Sequence, residues 1–217
     1  MDLYEFVRGP VAWAAILFFL AGCVFRMIIV LKKGHQKRMI YPLVSLRDGF
    51  LSILHGTIPF GSAYMRKHPA LTVVAFIFHV CLLFVPLFLL AHSVVWYESW
   101  GILGWSIPDM VADVMTVCVV LACLFFVVRR LTVPEVKKLT RPGDFLLLAV
   151  IVLPFLTGFL ATHQVGPYRL MLILHVLAGE FFLVMIPFSR LSHMFLFWFS
   201  RAYMGAEFGK VLKPRDW

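Results

Sequence analysis

Between Arg169 and Arg201 the chain reads RLMLILHVLAGEFFLVMIPFSRLSHMFLFWFSR, an apolar stretch long enough to cross a bilayer that carries His175, Glu180, Arg190 and His193 inside it. An ionised residue at the centre of a spanning helix costs at least about 2.5 kcal/mol even on permissive insertion scales, so each of these side chains needs a physical reason to be there. The two histidines are 18 residues apart. On one straight helix that is five full turns, so they point the same way and lie about 27 Å apart along the axis, close to the thickness of the hydrocarbon layer. Read as a single helix, the stretch offers an imidazole near each face of a membrane, the placement that two stacked metal centres would use.

The rest of the chain fits that setting. Of its 217 residues 62% are hydrophobic and 14% charged, which excludes an ordinary soluble domain. Five apolar segments are long enough to span: about 10–31, 69–95, 107–128, 144–162 and 169–199. The expected fold is an all-α integral membrane protein, one five-helix bundle. The N-terminal MDLYEFVRGP has no basic leader and no small-residue cleavage site follows it, so the first apolar run is read as a retained span. The four cysteines lie within apolar segments, and neither CxxC nor CxxCH occurs, so no disulfide framework, zinc motif or covalent c-type haem site is expected.

Charge orients the bundle. Seven Lys/Arg lie between the first two spans, five follow the third and four lie in the tail, sixteen in all. Only Arg8 and Arg169 fall on the other side, with Arg26 and Arg190 embedded. By the positive-inside rule the N-terminus is outside and the C-terminus cytoplasmic. Because the net charge of +9 is dispersed in loop blocks, it indicates membrane orientation and no nucleic-acid partner. Residues 41–65, too apolar for a free linker and too broken by Gly and Pro to span, read as a cytoplasmic interfacial segment on which a partner subunit could dock. His35 and His55 in this region read as solvated or interfacial.

The second span supplies His68, His79 and His92 to face the last one. Two axial ligands of one haem must lie at similar depth. His92 is six residues before Glu98 and His175 six after Arg169, about 9 Å of rise each. His79 is twelve residues from Lys67 and His193 eight from Arg201, about 18 and 12 Å, a difference that tilt absorbs. Depth therefore pairs His92 with His175 near the outer face and His79 with His193 near the inner one. Direction disagrees, because residues 13 apart on a straight helix point about 140° apart. Pro86, between His79 and His92, supplies a kink that can turn them toward a common partner. His68, beside Lys67 and ahead of Pro69, reads as interfacial and is the alternative to His92. Two imidazoles on one iron leave no open coordination position, which favours electron transfer over oxygen chemistry.

The run from His175 through VLAGEFFLVMIPFSRLS to His193 resembles the final helix of the gamma subunit of respiratory nitrate reductase, including PFSRL ahead of the second histidine. Phe78-His79, YESW at 97–100, RRL before Pro134 and Gly143-Asp144 follow the same order, and the resemblance covers residues 66 to about 201. It implies a cytochrome with two non-covalent b-type haems, each bis-histidine, in the bacterial cytoplasmic (inner) membrane. Such a subunit exchanges electrons with quinone or menaquinone near the outer haem and with a cytoplasmic iron–sulfur redox subunit near the inner one. In that family the second-helix ligands are ten residues apart, not thirteen, and the quinone-binding lysine has no counterpart after YESW. The departures point toward relatives that work with heterodisulfide-reductase-like subunits and a periplasmic multihaem cytochrome c.

Arg26, Arg190 and the Arg129-Arg130 pair are candidate partners for haem propionates, or else snorkelling helix-end cations. Trp96, Glu98, Asp109, Asp113 and His163 are candidates for the rim of a quinone slot, Asp109 alternatively for a helix N-cap after Pro108. Gly22, Gly158 and Gly179 read as close-packing positions for helices or a flat macrocycle. Glu180 is protonated, hydrogen-bonded within the bundle, or a proton carrier. Two readings from other classes stand beside the cytochrome: a proton or ion transporter built on the same buried His, Glu and Arg, and a haem-free membrane anchor.

Overall fold

The computed structural model describes residues 2–36, 45–102 and 104–212. Among them the chain is helical, with no strand and one isolated parallel bridge between Leu89 and Ile107. The longer helices are α1 (Ala12–Gln36), α2 (Leu46–Thr57), α3 (Pro69–Phe88), α4 (Leu90–Trp100), α5 (Asp109–Thr132), α6 (Pro142–Thr162), α7 (Tyr168–Phe188) and α8 (His193–Leu212). A turn of α-helix at Leu3–Phe6 and a π-helical turn at Val7–Val11 lead into α1. Residues 41–44 of the interfacial segment, together with Lys37, Arg38, Lys213 and Arg215, lie outside the described residues, as does the His35 side chain.

Five helical stretches are long and apolar enough to cross a membrane: Leu3–Lys32, Pro69–Phe88, Asp109–Thr132, Pro142–Thr162 and Tyr168–Phe188. Their outward faces are apolar, as shown by the exposed Leu17, Phe25, Val114, Leu121 and Leu124. In water such a surface would aggregate; in lipid it is the expected one. The chain is thus a multi-pass, all-helical membrane protein.

Two of the sequence-drawn spans are interrupted. Residues 69–95 form two helices, because α3 ends at Phe88 and Leu89 is extended at ψ 133° before α4 starts. Residues 169–199 are likewise divided: α7 ends at Phe188, Ser189 is extended, a 3-10 turn occupies Arg190–Ser192, and α8 begins at His193. Proline stands just ahead of each break, Pro86 in α3 and Pro187 in α7, where its missing N–H weakens the last turn. His175 and His193 therefore do not share one straight helix, and the five-turn separation does not apply to them.

The chain divides into two compact units. Residues 1–9 and 74–182 make the first. In it α5 packs along α6, with Val119 fully buried and Phe78 set edge-on to Phe126 at 5.4 Å. α6 opens with Pro142 at its first turn, and the Asp144 carboxylate accepts the Arg141 N–H at 2.9 Å while lying 3.7 Å from Arg130. α4 closes on Gly101 at φ +69°, the left-handed conformation that glycine adopts without steric cost.

Residues 10–73 and 183–217 make the second unit. Gly22 of α1 lies against Pro187, where a Cβ would come within 2.7 Å of the proline ring. α2, capped by the Ser45 hydroxyl, packs along α8 on small residues. A Cβ on Gly205 would stand 2.5 Å from the Asp48 carbonyl and the Ser52 Cβ, and one on Gly49 would stand 2.9 Å from the Ala202 carbonyl. The stretch read as an interfacial segment thus contains a 12-residue helix, Leu46–Thr57, that buries Gly49 and Ser52 and leaves Leu46 and Phe50 exposed.

Candidate functional site

The break after α3 positions the first site residue. Leu89 N–H still reaches the Val85 carbonyl at 3.0 Å, and the Phe88 carbonyl is taken by Ile107 N–H at 2.8 Å. The Pro86 carbonyl is taken by the imidazole of His92, whose Nδ1–H donates to it at 2.9 Å. The ring thus satisfies a backbone acceptor at a helix break, where an orphaned carbonyl in apolar surroundings would be costly. The angular objection to His92, drawn for a straight helix, falls with the helix itself.

The second residue is fixed from another helix. His175, in α7, donates its Nδ1–H to the Pro154 carbonyl of α6 at 2.8 Å. Its ring lies on the α6 backbone at Gly158, where a Cβ would come within 2.9 Å of Nδ1 and Cε1. Only glycine admits the ring there. The imidazoles of His92 and His175 come together with ring centroids 5.8 Å apart and planes inclined by 14°.

Because a carbonyl can only accept, both rings carry a proton on Nδ1, which leaves Nε2 as the nitrogen through which either could bind a metal. This is the arrangement found around metal-bound histidine, in which the second nitrogen is tied to a carbonyl or carboxylate. Two imidazoles on one metal atom, each bonded at about 2 Å, have centroids about 6 Å apart, and the pair matches that separation.

The other two expected ligands fall in different units. His79, in α3 within the first unit, is exposed, donates to the Ala75 carbonyl one turn back at 2.7 Å and meets Phe78 edge-on. His193 opens α8 in the second unit, is exposed, and donates to the Arg190 carbonyl at 2.9 Å. His55 makes the same one-turn bond, to Leu51 at 2.7 Å, so a bond of this kind does not by itself mark a ligand. The bonds of His92 and His175 span 6 and 21 residues and are of a different kind. His68, the alternative to His92, caps the short helix Ala63–Lys67 and packs on Tyr64 at 4.6 Å.

The residues read as a quinone rim are engaged in pairs. Glu98 forms an ion pair with Arg8, Asp113 lies 3.1 Å from His163, and Trp96 packs near Trp100 at 6.5 Å. Asp109 is exposed and is not a cap: Pro108 occupies the N-cap position, and no side-chain cap bond forms. A further ion pair joins Asp2 to Arg169. Asp2 and Arg8 thus tie the N-terminal residues to α7 and α4, the helices of His175 and His92; sequence reasoning missed both ties, since only charge matching across distant segments signals them.

Among the propionate candidates, Arg26 and Arg190 are exposed in the second unit, Arg129 is half-buried, and Arg130 is drawn toward Asp144. Of the three glycines, Gly22 and Gly158 are close contacts, whereas Gly179 meets nothing within 4 Å. Glu180 is buried, and neither of its carboxylate oxygens has a hydrogen-bond partner among the described residues.

No family model matches the chain. Over 211 residues, 95% of its length, it is 36% identical to a protein of Nitratidesulfovibrio vulgaris strain Hildenborough, of which the match covers 93%. The protein described above belongs to the same family as that N. vulgaris protein.

Proposed function

We propose that the chain is a di-haem cytochrome b subunit that carries electrons across the bacterial inner membrane between the quinone pool and a partner redox subunit. The observation that carries this reading is the His92–His175 pair: two imidazoles 5.8 Å apart, each with Nδ1–H spent on a carbonyl from another turn or another helix. His92 and His175 are the residues that would hold the haem iron, through one ring nitrogen of each. The haem, when bound, supplies a one-electron centre with no open coordination position. The chain's own part is to orient both rings, through the carbonyls of Pro86 and Pro154 and the bare backbone of Gly158.

Depth along the sequence assigns a second haem to His79 and His193. Each of these has its Nδ1–H bonded to a carbonyl as an axial ligand would, and neither bond is diagnostic alone. The excess of Lys and Arg after the first and third spans and in the tail supports an outside N-terminus and a cytoplasmic face on which an iron–sulfur subunit docks. Trp96, Glu98, Asp109, Asp113 and His163, all in the first unit, are the proposed quinone rim.

A dithionite-reduced minus oxidised optical spectrum of the purified chain, with haem and protein quantified together, tests the reading. Two low-spin b-type haems per chain are expected. Replacing either His92 or His175 by Ala should remove one, and full haem content in both variants would overturn the assignment.

A further inference from the structure

Glu180 is the one buried acidic side chain of the spanning helices' interior for which the electron-transfer reading has no use. It lies in the apolar helix α7, is only 8% exposed, and has both carboxylate oxygens without a partner among the described residues. A hydrogen bond within the bundle is thereby removed as its role. A carboxyl kept only for packing would do nothing that leucine or glutamine does not do better, since burial without a partner penalises either protonation state. The other titratable side chains of the unit's apolar helices are His79, Cys81, His92, Cys118, Cys123 and His175 in their interiors and Tyr97, Glu98, Asp109, Asp113, Arg129, Arg130, Asp144, Tyr168 and Arg169 toward their ends, and none of them bonds to Glu180. The fixed charges of the unit sit toward the helix ends.

Two placements give the carboxyl a task. It follows His175 by five residues on the same helix, about 7.5 Å of rise. The residue before it is Gly179, beside which nothing stands within 4 Å of a would-be Cβ, so no neighbouring side chain packs the backbone next to the acid.

We propose that Glu180 is the proton-binding partner of the centre held by His92 and His175, so that an electron arriving at that centre is accompanied by a proton. This rests on the haem reading. A bis-imidazole haem supplies a site whose charge falls by one on reduction. The oxidised, cationic site favours the Glu180 carboxylate, and the reduced, neutral site favours the acid. In the coupled step one electron enters the centre while one proton from water bonds to a Glu180 oxygen. On oxidation the O–H bond breaks and the proton returns to water. The charge within the low-dielectric interior is the same before and after.

The test is a redox titration of the purified full chain between about pH 5 and about pH 9, a range that brackets shifted carboxyl groups. One midpoint potential should fall as pH rises, at most by about 59 mV per unit, the one-electron equivalent of a tenfold change in proton activity. Glu180→Gln should keep both haems and flatten that slope. An infrared difference spectrum of the wild-type chain should show a protonated carboxyl band appearing on reduction, absent from the variant. Haem retained with the slope unchanged in Glu180→Gln overturns the inference and leaves the cytochrome reading standing. If the variant does not hold haem, the wild-type spectrum decides, and absence of the carboxyl band overturns it. A wild-type chain without haem overturns both.

Discussion

An imidazole whose Nδ1–H is given to a carbonyl has its tautomer and its direction fixed at once. His92 and His175 are fixed in this way by the carbonyls of Pro86 and Pro154, and Gly158 is the residue that lets the second ring lie where it does. Gly158→Ala places a methyl 2.9 Å from that ring, so it should displace His175 and cost the haem proposed for the His92–His175 pair. Gly179→Ala, with nothing within 4 Å, should leave haem content unchanged and add up to about 1 kcal/mol of helix stability. Pyridine-haem quantification of the two variants separates them, and equal loss in both would contradict the role given to Gly158. His55→Ala should likewise keep full haem content. The histidines stand out in the sequence because imidazoles are expensive in an apolar run. Glycine at 158 carries no such signal, because its purpose is visible only once α7 lies against α6.

At the scale of helices, the breaks at Leu89 and Ser189 matter most, and hydropathy cannot find them. Leu89 is as apolar as its neighbours, and a run such as 69–95 reads as one long span whether or not its backbone is continuous. Pro86 and Pro187 are the local marks, and each lies a few residues before the interruption it permits. The pairing of α2 with α8 is equally hidden. Its signal is the spacing of Gly49, Ser52 and Gly56 on one helix and Ala202, Gly205 and Ala206 on the other, which acquires meaning only when the two meet. Gly205→Ala should lower stability by about 1–3 kcal/mol through overpacking against Asp48 and Ser52, without changing the optical spectrum. Thermal unfolding in detergent checks the first half and the difference spectrum the second.

For the whole molecule, the spans and their number are plain in composition, while orientation rests on the unequal distribution of Lys and Arg alone. Glu135→Cys, in the loop of Arg129 to Arg141, should react with an impermeant thiol reagent only in inverted vesicles, and Glu5→Cys only in intact spheroplasts. The reverse pattern would invert the proposed topology and with it the side assigned to each proposed haem and partner. What no reading of local sequence supplies is the set of distant ties, such as Arg8 to Glu98 and Asp2 to Arg169, that link the first residues to helices made much later.

The two ring-to-carbonyl bonds also bear on the order in which the molecule can be made. Pro86 emerges from the ribosome six residues before His92, and Pro154 emerges 21 residues before His175, so each imidazole is aimed by chain already synthesised. Neither half waits for the other to acquire its orientation. The site is then completed in a single event, when α7 enters the membrane and docks on α6. If the pair holds haem as proposed, its capture belongs to the end of biogenesis, after the last span is inserted, and a chain truncated before α7 would hold a well-oriented His92 without its partner ring.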